Sequence, residues 1–131
     1  MRDELFFSKQ DLGRVETRKG KLAEQRVLEA INTFAVTNVI SEPWFKSARL
    51  ATWQEDARGI DLVIETVDIG ILYLQVKSSW IAVRRYQEKH PGMVIAVVVI
   101  PFHEKLEIIW QKVLLEIIKL RREIIRRRNG N

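Results

Sequence analysis

Residues 59–79, "GIDLVIETVDIGILYLQVKSS", constrain the fold of this chain more than any other stretch. Two apolar runs flank Asp68-Ile69-Gly70, which fits a three-residue hairpin loop: a type I turn, then Gly70 in the left-handed conformation. Such a loop fixes register. Val67 then faces Ile71, Val63 faces Gln75, and Asp61 faces Lys77. Because side chains alternate along a strand, Asp61, Gln75 and Lys77 share one face. Opposed Cβ atoms lie about 4.5–5.5 Å apart and diagonal ones about 7–8 Å, so the three polar groups form one cluster. A core strand would place Val or Ile there. Asp61 and Lys77 could be a plain cross-strand ion pair, which apolar residues often replace at no cost in stability. Gln75 has no obvious structural role.

The rest of the chain supplies elements to cover this hairpin. After Gly20, residues 21–34 carry Ala23, Val27, Ala30, Ile31 and Phe34 at the 3.6-residue period of an amphipathic helix, with Glu24 on the flank of its apolar stripe. Residues 36–40, "VTNVI", read as a short strand. Segment 42–58 is ambiguous: Pro43 can start a helical turn, or "ARLATW" can be a strand. Ser78-Ser79 can cap a helix over 80–89, which Pro91-Gly92 ends. "MVIAVVVI" (93–100) reads as a strand buried on both faces. In the helix expected over 106–127, Leu106, Trp110, Val113, Ile117, Leu120 and Ile124 form the stripe, and Ile109, Leu114, Ile118 and Ile125 widen it. That stripe exceeds what a monomer's surface helix needs, so a homodimer or higher oligomer through this helix is expected. The predicted order is α-β-β-β-α-β-α, an α/β or α+β sandwich. At 131 residues the chain suits a single domain.

Several classes drop out. There is no cysteine, which excludes disulfides and thiolate metal sites. The longest apolar run has eight residues, against about 20 for a bilayer span, and the N-terminus does not read as a signal peptide. A cytoplasmic location without membrane partners is the expectation. The net charge is +5, but residues 119–131 hold six basic residues against Glu123, so the first 118 residues sum to zero. That basic tail can bind phosphates, or it can be a solvated helix end favoured by the helix dipole.

Glu24, Asp61, Gln75 and Lys77 give the chain a resemblance to the PD-(D/E)xK nuclease superfamily. Its pattern is a Glu-bearing helix, a strand with Asp, a hairpin, a strand with Glu-x-Lys or Gln-x-Lys, then a helix and a further strand. Here "RKGKLAEQRVLEAI" carries Glu24, "GIDLVI" carries Asp61, and "YLQVKSS" carries Gln75 and Lys77. The opening looks like that of archaeal Holliday-junction resolvases. Gln in place of Glu looks like Mrr-type restriction enzymes and some small homing endonucleases of this fold. The resemblance covers about residues 18–100 and leaves out the last helix. Ile60 stands where the name-giving Pro would be, and Glu24 and Asp61 are 37 residues apart, longer than in the compact resolvases.

The resemblance implies a restriction-endonuclease-like αβββαβ core and a Mg²⁺- or Mn²⁺-dependent DNA endonuclease acting on branched or duplex DNA. Asp61 would be the central metal ligand, joined by the Gln75 side-chain oxygen, the Val76 carbonyl and Glu24. Lys77 would orient water or stabilise charge on the phosphate. The neutral Gln75 implies modest metal affinity, with Mn²⁺ preferred. Ser78, Arg84, Arg85 and Lys89 are candidate phosphate contacts. Trp44, Trp53 and Trp80 can stack on bases or pack at the core or its rim. Glu65 lies two steps along the strand from Asp61. Glu55 and Asp56 can be a second acidic site but read first as a solvated loop, and His90 and His103 read as loop residues. A single-strand exonuclease or flap nuclease on the same scaffold, and a catalytically silent DNA-binding subunit, are the alternatives.

Overall fold

The first helix buries the apolar stripe its periodicity announces. In α1 (Lys9–Phe34), Val27, Ala30 and Ile31 are buried, and Ala23, Leu28 and Phe34 pack at the edge of the same cluster. The structure is a computed structural model that describes residues 9–35, 42–89, 91–92, 94–101 and 103–130, with α1 side chains from residue 21 onward. The helix begins at Lys9 rather than after Gly20, so Gly13 and Gly20 are helical residues and not its boundary. The strand expected over 36–40 lies outside the described residues, as does His90.

The ambiguous segment resolves into β1 (Phe45–Leu50) followed by a short helix, α2 (Trp53–Ala57). Thr52 caps α2 in a capping box: its hydroxyl accepts the Glu55 N–H at 3.2 Å, and Glu55 Oε1 accepts the Thr52 N–H at 2.8 Å. The hairpin strands are β2 (Leu62–Thr66) and β3 (Ile71–Lys77). Then come α3 (Trp80–Lys89), β4 (Ala96–Val99) and α4 (Leu106–Arg128). The result is a mixed α/β architecture around a four-stranded sheet ordered β1-β2-β3-β4. The first two pairings are antiparallel; β3 and β4 run parallel, with α3 as the crossover.

The hairpin register differs from expectation by two residues. Val63 faces Tyr73 and Leu62 faces Leu74. The turn closes one residue early on each arm because Thr66 closes it. Its N–H and hydroxyl both donate to the Gly70 carbonyl, and the hydroxyl accepts from the Ile69 N–H. Val67 is thereby released to pair with β1, donating its N–H to the Trp44 carbonyl at 2.9 Å. Gly70 has φ +92°, the left-handed conformation the turn requires. An even shift preserves which face each residue occupies. Asp61 stands just before β2, outside the paired register, and bonds Leu74 and Val76 on either side of Gln75 rather than facing Lys77.

Alternation divides the sheet into two faces. Leu62, Ile64, Leu72, Leu74, Ala96 and Val98 join α1 and the Ile109, Val113 and Ile117 side of α4 in the main core. The other face carries Val63, Gln75 and Lys77, and α3 covers it with Val83 and Tyr86. Strand β4 is buried on one face and only half-buried on the other.

Two features of α4 bear on the expectations. Ile118 and Ile125 remain half-buried and Leu115 is exposed. In the tail, Glu123 pairs with both Arg126 and Arg127, and their hydrogen bonds hold its carboxyl down at about 2. Earlier in the helix, Arg121 lies over the Trp44 ring, 5.1 Å from its centroid, and pairs with Asp68 at the hairpin tip. No helix among the described residues is long and apolar enough to cross a membrane.

Candidate active site

The ladder between β2 and β3 ends where Asp61 begins to bond through both backbone and side chain. Its N–H donates to the Leu74 carbonyl at 3.0 Å, and its Oδ2 accepts the Val76 N–H at 2.8 Å. Asp61 therefore brackets Gln75 from both sides. Its carbonyl accepts the Ala51 N–H at 2.9 Å, which fixes it to β1 as well. The acid is 6% exposed and Gln75 is 5% exposed. In a strand the N–H and C=O of one residue point to the same side, so the Val76 carbonyl also faces Asp61's strand.

Two more carboxyls arrive from helices. Glu24 sits one turn before Val27 on α1 and is half-buried, while Asp56 comes from α2. Ligand oxygens of Glu24, Asp56 and Asp61 lie within 4.8 Å of one another. The capping box decides which acid of α2 does this. Glu55 is committed to Thr52 and to a two-pronged pair with Arg49, at 2.7 and 3.1 Å, whose hydrogen bonds bring its carboxyl down to about 2. The next residue, about 100° further round the helix, is Asp56.

Crowded acids in a partly dry site cannot all ionise. Burial, then the charge of Asp61 and a hydrogen bond to it, push Glu24 up to about 8. Burial also raises Asp61, against the lowering effects of the Val76 N–H, the Glu24 hydrogen bond and the Lys77 charge. At neutral pH Glu24 thus carries the proton and donates it to Asp61. Gln75, the residue that the Asp61 bonds bracket, has its Oε1 buried with no hydrogen-bond donor among the described residues.

Lys77 and the buried Tyr86 complete the cluster. The Lys77 ammonium sits 5.0 Å from the Tyr86 ring centroid. Burial, and then the charge of Asp61, raise the Tyr86 hydroxyl. Gly59 makes room for that ring. Its φ is +86°, and a Cβ there would stand 3.0 Å from Tyr86 Cε2. The chain can therefore turn from α2 into β2 directly against α3.

Of the expected residues, Glu24 and Lys77 lie near enough to Asp61 to act on its carboxyl, and Gln75 is the residue its bonds bracket. Asp56 and Tyr86 are additions that strand alternation did not reveal. The Thr52-x-x-Glu55 signature and the Val83–Tyr86 spacing were the available signals for them. Other candidates fall elsewhere. Glu65 engages Ser47 and Lys46 of β1. Ser79, rather than Ser78, caps α3 by accepting the Ala82 N–H at 3.2 Å. Ser78, Arg84, Arg85 and Lys89 are exposed, and His103 is an exposed loop residue. Trp44 is half-buried under Arg121, whereas Trp53 and Trp80 stand in solvent.

Comparison of the chain with protein-family models, with curated proteins and with solved structures found no match.

Proposed function

We propose that the chain is a metal-dependent deoxyribonuclease with a restriction-endonuclease-like core. The carrying observation is the Glu24–Asp61–Asp56 cluster together with a buried oxygen, without a donor among the described residues, on Gln75, the residue that the Asp61 bonds bracket. An unsatisfied buried acceptor costs about 1–3 kcal/mol. Burial of Glu24 and Asp61 against each other, which raises both, adds to that cost. Oxygen donors of this number and hardness fit Mg²⁺ or Mn²⁺. Asp61, Gln75, Glu24 and the Val76 carbonyl would hold the ion, with Asp56 joining them. When bound, such an ion neutralises phosphate charge and makes water more acidic.

The chain's own residues supply the rest. Asp61 is held by bonds to Leu74 and Val76 of β3 and to Ala51 just after β1, which limits reorganisation during the reaction. Glu24 surrenders its proton when positive charge enters the cluster. Lys77, seated over Tyr86, keeps a fixed cation beside Asp61, where negative charge grows on a phosphate under attack. Arginine would not reproduce that point charge, because its planar fork places the charge differently. The exposed Arg84, Arg85 and Lys89 of α3, the helix that follows Lys77, offer phosphate contacts.

The test is cleavage of single-stranded, duplex and four-way-junction DNA with Mg²⁺ or Mn²⁺. Asp61→Ala and Lys77→Ala should each lower the rate at least about 100-fold. Equal cleavage by wild type and both variants, or no cleavage of any substrate with either ion, overturns the reading. Pairing of two copies through Leu115, Ile118 and Ile125 of α4 belongs to the same proposal; a monomer by sedimentation at micromolar concentration ends that part of it.

A further inference from the structure

Two of the four tryptophans lie in water at the end of the sheet that carries Asp61. Trp53 opens α2 and is 81% exposed; Trp80 opens α3 and is 71% exposed. The other two behave structurally, Trp110 in the core and Trp44 beneath Arg121. Leaving a large apolar side chain in water forgoes at least about 1.5–3 kcal/mol of burial energy, so two such side chains together need a reason.

Both are tied to the site. Trp53 precedes Asp56 by three residues, one turn of the same helix. Trp80 follows Lys77 by three residues, which is at most about 10 Å of chain. The close approach of Gly59 to Tyr86 locks the end of α2 against α3, so both aromatics belong to one frame around Asp61. On α3 the exposed face continues with cations one turn further on: Arg84 follows Trp80 by four residues, and Arg85 follows the exposed Ile81 by four. Exposed rings beside cations suit a nucleic acid strand whose bases are unpaired, since each base offers a π-face and each phosphate a charge. A duplex stacks its base faces inside and shows only edges in its grooves, so it could not use these rings. A membrane surface fits less well, because the other apolar side of α3, Val83 and Tyr86, is already turned into the protein.

The geometry points to Trp53 and Trp80 as stacking platforms for unpaired bases beside the carboxylate cluster, so that the substrate is a nucleic acid strand unpaired around the phosphate that is cut. This rests on the nuclease reading above and names its substrate class.

The experiment measures binding by the full chain in EDTA, where a metal-dependent enzyme cannot cleave. Tryptophan fluorescence is titrated with an oligothymidylate of about 12 nucleotides, a blunt duplex, an abasic strand of the same length, and anionic phosphatidylserine vesicles. The oligothymidylate should quench the emission and bind at least about tenfold more tightly than the duplex or the abasic strand. Trp53→Ala and Trp80→Ala should each weaken it by about fivefold to 100-fold, matching the stacking energy of one base. Both side chains are exposed, and circular dichroism verifies that each variant keeps the fold. Three results overturn the proposal: duplex or abasic strand bound as tightly as oligothymidylate, variants that bind like wild type, or capture by vesicles but not by oligothymidylate. Failure of the cleavage assay with this binding intact would fault the nuclease reading alone; cleavage with this binding absent would fault the stacking platforms alone.

Discussion

Binding of a divalent ion should expel a proton, and the structure gives the amount. Glu24 is pushed up to about 8, so at pH 7 it is about nine-tenths protonated. A cation held by Asp61 and Glu24 requires both as carboxylates, which drives that proton off. About 0.9 proton should therefore leave per ion at pH 7, falling to about 0.1 at pH 9. The ionised fraction of Glu24 rises about tenfold between these values, so apparent affinity for Mn²⁺ should rise about tenfold as well. Calorimetric titration with Mn²⁺ in two buffers of different ionisation enthalpy reads the proton count directly, and Glu24→Gln should bring it close to zero. A buffer-independent heat for the wild type at pH 7 would refute the reasoning, because Glu24 would then be either ionised already or outside the site. The metal-free protein carries the matching stability signature. A carboxyl raised in the folded state stabilises fully below its unfolded value of about 4.5, and that contribution is lost as pH rises through about 8. The slope between these two values has a ceiling of about 1.4 kcal/mol per pH unit, and solvent screening of the half-buried Glu24 reduces the total rather than the slope. The melting temperature in EDTA should thus fall between pH 5 and pH 9, and excess Mn²⁺ should flatten that fall.

Two further outcomes follow from the packing. Gln75→Leu removes the orphaned oxygen at similar volume, so in EDTA it should raise stability by about 1–2 kcal/mol, a few degrees in Tm, while Mn²⁺ ceases to raise Tm; a lower Tm in EDTA would mean that Gln75 is satisfied. Gly59→Ala places a Cβ at a left-handed φ and within 3.0 Å of the Tyr86 ring, so urea unfolding should show a loss of about 2 kcal/mol or more, and a neutral result would show that α2 and α3 are not locked there.

The site was readable where it depends on strand parity, and not where it depends on tertiary approach. Gln75 and Lys77 share a face by alternation alone, and that held even though the hairpin register was two residues off. The slip came from Thr66, whose hydroxyl closes the turn in a way no periodicity encodes. Strand β1 was hard to see because it is an exposed strand without an alternating apolar pattern: Lys46, Ser47, Arg49 and Leu50 all face solvent. The reach of α1 back to Lys9 was hidden by Gly20, which suggests a boundary but sits inside a helix. Asp56 and Tyr86 enter only through tertiary approach: Asp56, exposed on α2, meets Glu24 and Asp61 while Glu55 is committed to Thr52 and Arg49, and Tyr86 is seated against Gly59, which spacing does not encode.

The Arg121 pair with Asp68, backed by Trp44, pins the hairpin at the end away from Asp61. A ribbon anchored at its tip behaves like a ruler, with distance measured in whole pleats from the pin to the working end. Lengthening both arms by one residue, or deleting one from each, would turn Gln75 and Lys77 into the aliphatic layer and put Val76 on the face covered by α3. The arms can therefore change length only in steps of two.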